Sequence, residues 1–185
     1  MARDRQHSTR QKGFTLIELV IVVAIMAVIS GIALPGIMGG IQRRGVDGAA
    51  RRLTEEIRLA QSTALTRGAQ ARLIVFDQNG VAPNPGLSDA TDTTKANMYR
   101  VEFRSSPSAA WPPLTAYPGA NSNVLTTWYP VRSNYQGVSV TTGNTVVFNS
   151  QGFLVNSASP LSIVLQGSAG SKTVQASVIG KATIQ

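Results

Sequence analysis

A chain of 185 residues can hold one compact domain plus an appendage, and its modest 14% of charged residues leaves room for long apolar stretches. There is no cysteine, and the single histidine, His7, lies close to the N-terminus. Beyond it, disulfides, thiolate nucleophiles, histidine acid–base chemistry and the usual zinc sites are therefore excluded. The formal charge of +8 permits contact with nucleic acid or an anionic surface but names no partner.

Residues 1–13 form a basic leader: Arg3, Arg5, Arg10 and Lys12 against Asp4 give +3 there and leave +5 for the rest. From Phe14 to Leu34 the chain reads FTLIELVIVVAIMAVISGIAL, with Glu18 as its one charge. As a helix this run would cover ~31 Å, enough to cross a bilayer core, and the basic residues before it would hold the N-terminus in the cytoplasm. A cleaved secretory signal fits less well, because the run exceeds the usual ~7–15 residue core and lacks a clear small-residue cleavage site after it. Residues 14–35 are thus expected to form a transmembrane or assembly helix. Pro35 removes a backbone donor, and Gly31, Gly36, Gly39, Gly40 and Gly45 weaken the same stretch, so a kink or break is expected there.

Within 36–68 the period of a helix returns. Val46, Ala49, Ala50, Leu53, Ile57, Ala60, Ala64 and Leu65 recur at three- and four-residue spacing and predict an amphipathic helix that stops near Arg67-Gly68. Glu55 and Glu56 are assigned to its solvated face; as adjacent helical residues they do not face one another. From residue 69 to 185 the signals are those of short strands. Ala71–Phe76 precedes a turn at Asp77-Gln78-Asn79-Gly80, and residues 81–97 read as a surface loop. Tyr99, Val101 and Phe103 alternate with Arg100, Glu102 and Arg104, predicting a half-buried strand with a polar outer face. A second long loop covers 105–123, and further strands are expected at 124–129, 137–140, 145–148, 153–155, 161–166, 173–179 and 182–184. Trp111, Tyr117, Trp128 and Tyr129 are assigned to core or loop staples in preference to an exposed ligand platform. The fold class is α+β: a long N-terminal helix packed on an antiparallel β-sheet head. The acidic residues beyond the leader form no compact constellation, so no catalytic site, metal or cofactor is expected, and the chain is not read as an enzyme.

The junction Lys12-Gly13-Phe14-Thr15-Leu16-Ile17-Glu18 resembles the prepilin processing motif of type IV pilins and type II secretion pseudopilins. That resemblance implies cleavage between Gly13 and Phe14 by a prepilin peptidase, N-methylation of Phe14, and retention of the apolar run in the mature chain. It further implies single-pass insertion in the inner membrane with the head outside, lipid around the helix before assembly, an inner-membrane assembly platform, and other pilin-like subunits as partners. Glu18 then has two readings. It is a local ion pair with the Phe14 amine one turn away, or it attracts the terminal amine of a neighbouring subunit and sets register; the assembly role is preferred. Pro35 stands where many pilins carry a helix-kinking proline. The pattern Val147-Phe148-Asn149-Ser150-Gln151-Gly152 with Ser177-Val178-Ile179-Gly180-Lys181 is similar to minor pilins and pseudopilins of the FimT/GspH group. Relatives there bind DNA near a C-terminal glycine–arginine motif; this chain offers Gly180-Lys181, with Lys172, as the corresponding contacts, so nucleic acid is permitted but not implied. Pilus, secretion and DNA-uptake machines remain open at this point.

Overall fold

The computed structural model describes residues 14–84, 89–119, 122–155, 157 and 159–185, with the backbone alone at 33–39, 41 and 42. The leader, and with it Gly13, lies outside the described residues, and so does the side chain of Pro35. The chain divides into two units, Met1–Gly39 and Gly40–Gln185. Helix α1, Leu16–Arg67, carries the described part of the first and opens the second. Its assignment runs on through Pro35 and Gly36, so the break that proline and the glycines led us to expect is not an end of the helix. It stops where expected: Gly68 takes a left-handed φ of 60° and the Ala69 N–H donates to the Ala64 carbonyl at 3.2 Å, a Schellman closure.

Among its described residues the second unit holds ten strands, a 3-10 turn at Thr93–Lys95 and a short α-helix. One sheet has the order β5-β4-β1-β7, from Tyr129–Pro130, Met98–Arg104, Gln70–Val75 and Asn144–Phe148. The other has the order β10-β9-β8-β6, from Ala182–Ile184, Gly170–Ala176, Leu161–Gly167 and Ser139–Thr142. All their pairings are antiparallel. Strands β2 (Val81–Ala82) and β3 (Ala90–Thr91) form a small ribbon inside the segment read as a loop, and α2 spans Val131–Asn134. The apolar stripe of α1 is buried as its spacing requires: Val46, Ala49, Ala50, Leu53, Ile57, Ala60 and Ala64 share one core with Leu73, Val101 and Val146 of the first sheet and Ile163, Leu165 and Val174 of the second. Alanines at four of those seven positions let the helix backbone lie close to the sheets. Leu65, counted in the stripe, lies outside the core and is exposed.

Strand β4 departs from expectation. Its Arg100 and Glu102 are fully buried, because residues 105–119 and 122–128 fold across the face that alternation had assigned to water. A bridge pairs Glu102 with Val124, and Phe103 N–H and Leu125 N–H bond to the carbonyls of Asn123 and Val101 at 2.9 Å each. Register places Arg72 directly opposite Glu102, and Arg72 Nε donates to Glu102 Oε1. Arg100 approaches the other oxygen at 2.6 Å and sends its remaining donors to the carbonyls of Pro113, Leu114 and Ala116 at 2.9, 3.3 and 2.8 Å. Burial pushes the Arg72 guanidinium below its ordinary pKa against the pull of Glu102. The two tryptophans close the cluster. Trp111 lies 4.3 and 4.8 Å from the Arg72 and Arg104 guanidinium carbons, while Trp128 lies 4.5 Å from that of Arg100 and donates to the Leu114 carbonyl at 3.1 Å. Both tryptophans are staples, as is Tyr129, stacked on Tyr99 at 5.1 Å; Tyr117 is exposed. Of the strand expected at 124–129, only the Val124 bridge and the start of β5 form; Leu154 likewise makes a single bridge.

Gly143, between β6 and β7, marks a close backbone approach. A Cβ there would lie 2.8 Å from both Asp77 N and the Val81 carbonyl oxygen, and closer still to the Val75 carbonyl oxygen. Gly143→Ala is expected to destabilise the head by about 1–3 kcal/mol, read as a lower denaturant midpoint; an unchanged midpoint would show that the β1 end and β2 can separate freely.

Candidate functional site

Two surfaces bear on function, one in each unit. In the first unit, every described side chain from Phe14 to Ile32 is exposed, with Phe14 and Leu16 at 84% and Ile17 at 66%. A helix apolar on all its faces cannot be covered by water without cost, at roughly 25 cal/mol per Å². Among the described residues no helix is long and apolar enough to cross a membrane; the side chains of Ala33 and Leu34, the last two of the expected span, lie outside them.

The front of α1 is built by Thr15-Leu16-Ile17-Glu18. Thr15 occupies the N-cap, and the Glu18 N–H donates to its Oγ1 at 3.3 Å, half of the reciprocal capping box that a Thr-x-x-Glu sequence can form. No hydrogen bond or ion pair of the Glu18 carboxylate is found among the described residues. It lies in the first turn of α1, where the helix dipole favours negative charge.

In the second unit, the two lysines expected to contact nucleic acid are not brought together. Lys172 lies on β9 near the β8–β9 turn, with Nζ 3.6 Å from Asp47 Oδ1 on α1. Lys181 lies beyond the far end of that strand, in the turn where the Ser177 N–H donates to its carbonyl at 2.9 Å and Gly180 adopts φ 83°. Two arginines of β4 are used internally. Arg100 is enclosed by Glu102 and three carbonyls, and Arg104 donates to Gln70 and to the Ala109 carbonyl. Arg132 is exposed on α2.

A feature the sequence reading missed lies under α1. Glu55 is solvated as expected, but its neighbour Glu56 is buried at 3% exposure, a correction to the shared solvated face. Glu56 Oε1 accepts from Arg52 at 2.7 Å, while Oε2 and the buried Tyr99 hydroxyl have no hydrogen-bond partner among the described residues. Burial outweighs the attraction of Arg52 and holds the Glu56 carboxyl above the ordinary carboxylate range; burial and the nearby Glu56 push the Tyr99 phenol up as well. A carboxyl whose pKa is raised on folding stabilises the protonated fold, and that contribution is lost as pH rises from the unfolded value through the folded one. Glu56→Gln is accordingly expected to match or exceed the parent in melting midpoint at pH 7, with its advantage shrinking as pH falls through the carboxylate range. A midpoint well below the parent at pH 7 would mean that the Arg52 pair dominates. The cluster brings together a carboxylate, a guanidinium and a phenol, and among the described residues no group of three or more His, Cys, Asp or Glu side chains is placed to hold a metal ion.

Comparison with known proteins draws these surfaces together. The prokaryotic N-terminal methylation motif matches residues 8–34. A family profile described as type II transport protein GspH matches residues 49–182, nearly three quarters of the chain. The chain belongs to the GspH family. It is a minor pilin or pseudopilin of the FimT/GspH group, and the family it joins consists of structural subunits. GspH-type heads with this motif imply pilin-like partner subunits and processing by a prepilin peptidase. Among solved structures, the type IV minor pilin FimU of Pseudomonas aeruginosa strain PAO1 is similar in two crystal forms. One is 10% identical with a TM-score of 0.47, covering 77% of this chain and 90% of that one. The other is 11% identical with a TM-score of 0.44, covering 75% and 91%. At those scores the likeness adds nothing to the assignment, which rests on the two profiles. No curated protein matches the chain.

Proposed function

We propose that this GspH-family chain is a minor subunit of a pilus-like filament, cut between Gly13 and Phe14, methylated at Phe14, held in the inner membrane by its apolar helix and transferred by an assembly platform into the filament. The observation that carries this reading is the exposed, all-round apolar helix beginning two residues after the new terminus. Nothing in a single soluble domain calls for such a surface, whereas lipid first and neighbouring subunits later would each cover it.

Glu18 supplies the register. Cleavage frees an amine at Phe14, and a carboxylate one turn along an apolar helix attracts the equivalent amine of an adjacent copy. Pro35 is proposed to let the apolar part of the helix adjust relative to the remainder during transfer. The type II transport description of the family makes a secretion pseudopilus the first machine to test. A DNA-uptake role would rest on Lys172 and Lys181, which the fold sets apart, without Arg100 and Arg104, which the head uses internally.

Substitution at the cut tests the reading. Gly13→Val is expected to leave the chain at full length in cells carrying its prepilin peptidase, retained in the membrane and missing from sheared filaments. Normal trimming of that variant, or filaments containing the uncut chain, would contradict it.

A further inference from the structure

The turn that follows β1, the residue that precedes β4 and the start of β6 meet at the surface of the second unit. A recess of about 320 Å³ opens there, and its polar side chains are Gln78, Asn79, Asn97, Arg132 and Ser139. That volume stands at the small end of ligand clefts, roughly 300–1,000 Å³. The recess lies wholly within the second unit, so its occupancy is independent of the membrane and filament readings.

Asn97 ties these pieces together. Its φ of 58° is left-handed, a conformation that asparagine tolerates better than most residues. Three of its polar groups are committed inside the fold. The N–H donates to the Asp77 carbonyl at 2.9 Å, the carbonyl accepts from the Val131 N–H at 2.9 Å, and Oδ1 accepts from the Val140 N–H at 2.7 Å. Because a backbone N–H needs an acceptor, the Val140 bond fixes which way the amide points and leaves Nδ2 as the one uncommitted group. Asn97 is only 6% exposed, yet no acceptor for Nδ2 is found among the described residues. Its two N–H groups are therefore what Asn97 presents to the recess. Arg132 is exposed on α2, and among the described residues it makes no ion pair. Asp77, next in the chain to Gln78, spends its Oδ1 on the N–H groups of Asn79 and Val81 at 2.8 and 2.9 Å. One cation and no carboxylate thus line the recess, and buried donors without an acceptor are costly to leave unmet.

We propose that this recess takes the carboxylate of an acidic peptide on a partner protein, with the Arg132 guanidinium as the charged contact and Asn97 Nδ2 as a second donor. The guanidinium fork matches the two oxygens of a planar carboxylate. The amides of Gln78 and Asn79 offer both donors and acceptors to the peptide groups on either side, which a bare ion would not use. A single cation is a poor match for a nucleic-acid backbone, where affinity grows with the number of phosphates neutralised.

The test uses the full chain in a neutral detergent and two capped peptides, acetyl-Gly-Ala-Glu-Ala-Gly-amide and its counterpart with glutamine at the centre, titrated by ligand-observed NMR. The glutamate peptide is expected to bind at least about fivefold more tightly than the glutamine one, the range of one partly exposed ion pair. R132Q should remove that preference, whereas R58Q, which takes an exposed charge from α1, should keep it. N97D keeps an acceptor for the Val140 N–H, loses the Nδ2 donor and adds negative charge, so it should bind the glutamate peptide more weakly than the parent does. Because Arg132 is exposed, R132Q decides the matter even where N97D disturbs the fold. Equal affinity for the two peptides, a preference unchanged in R132Q, or equal losses in R132Q and R58Q would overturn the proposal. Displacement of the bound peptide by short duplex DNA at a lower concentration than by a second acidic peptide would assign the recess to phosphate and overturn it as well.

Discussion

Replacing Glu102 with glutamine is expected to destabilise the head by about 3–5 kcal/mol, the cost of leaving buried charge without its counter-ion. Glu102 is fully buried and is the only acidic partner of Arg100 and Arg72 among the described residues. With a neutral amide in its place, Arg100 keeps its three carbonyl acceptors, but the two guanidinium charges would face each other in a site of low polarity. For a domain with a total stability of about 5–15 kcal/mol this is a large fraction. The strap of residues 105–119 and 122–128 should loosen first, since Arg100 and the Trp111 and Trp128 stacking on the arginines tie it to the sheet. Tryptophan fluorescence during urea unfolding therefore reports the effect directly. Glu55→Gln, on an exposed face, should shift the same transition by no more than about 0.5 kcal/mol. Equal midpoints for E102Q and the parent would show that the strap, and not the charge cluster, holds the sheet.

Glu18→Gln is expected to separate processing from assembly. The substitution keeps size and helix start, since the Thr15 cap uses the Glu18 backbone and not its carboxylate. It also makes the helix easier to accommodate in lipid, because a buried carboxylate costs on the order of a few kcal/mol at mid-membrane. Insertion, trimming and methylation should proceed. Incorporation should fall at least about tenfold, because a charge-assisted hydrogen bond to a neighbour's amine contributes about 1.5–3 kcal/mol. The quantity to compare is the ratio of variant to parent chain in sheared filaments at equal membrane levels. A ratio near one would remove Glu18 from the assembly mechanism and leave it a local partner of its own terminus.

These expectations draw on parts of the molecule that were unequally legible in the sequence. The stripe from Val46 to Ala64 announced its own burial, because helical spacing depends only on near neighbours along the chain. The Gly68 stop and most strands of the two sheets were visible for the same reason. Strand β4 was placed but its outer face was misjudged. Alternation tells which residues share a face and not what covers it, and the covering segment, rich in proline and without period, gave no sign of folding back. Glu56 was missed although a signal existed. It sits three residues after Leu53 and four before Ala60, at the margin of the buried stripe, where a carboxylate is carried inside with its i−4 arginine.

Trimming and methylation of this GspH-family chain can be read from the intact mass and N-terminal peptide of the protein taken from its own membranes. A filament subunit will begin at Phe14 and carry one added methyl group. A chain that begins at Met1 or Ala2 would overturn that reading and leave a β-rich head on an uncleaved anchor.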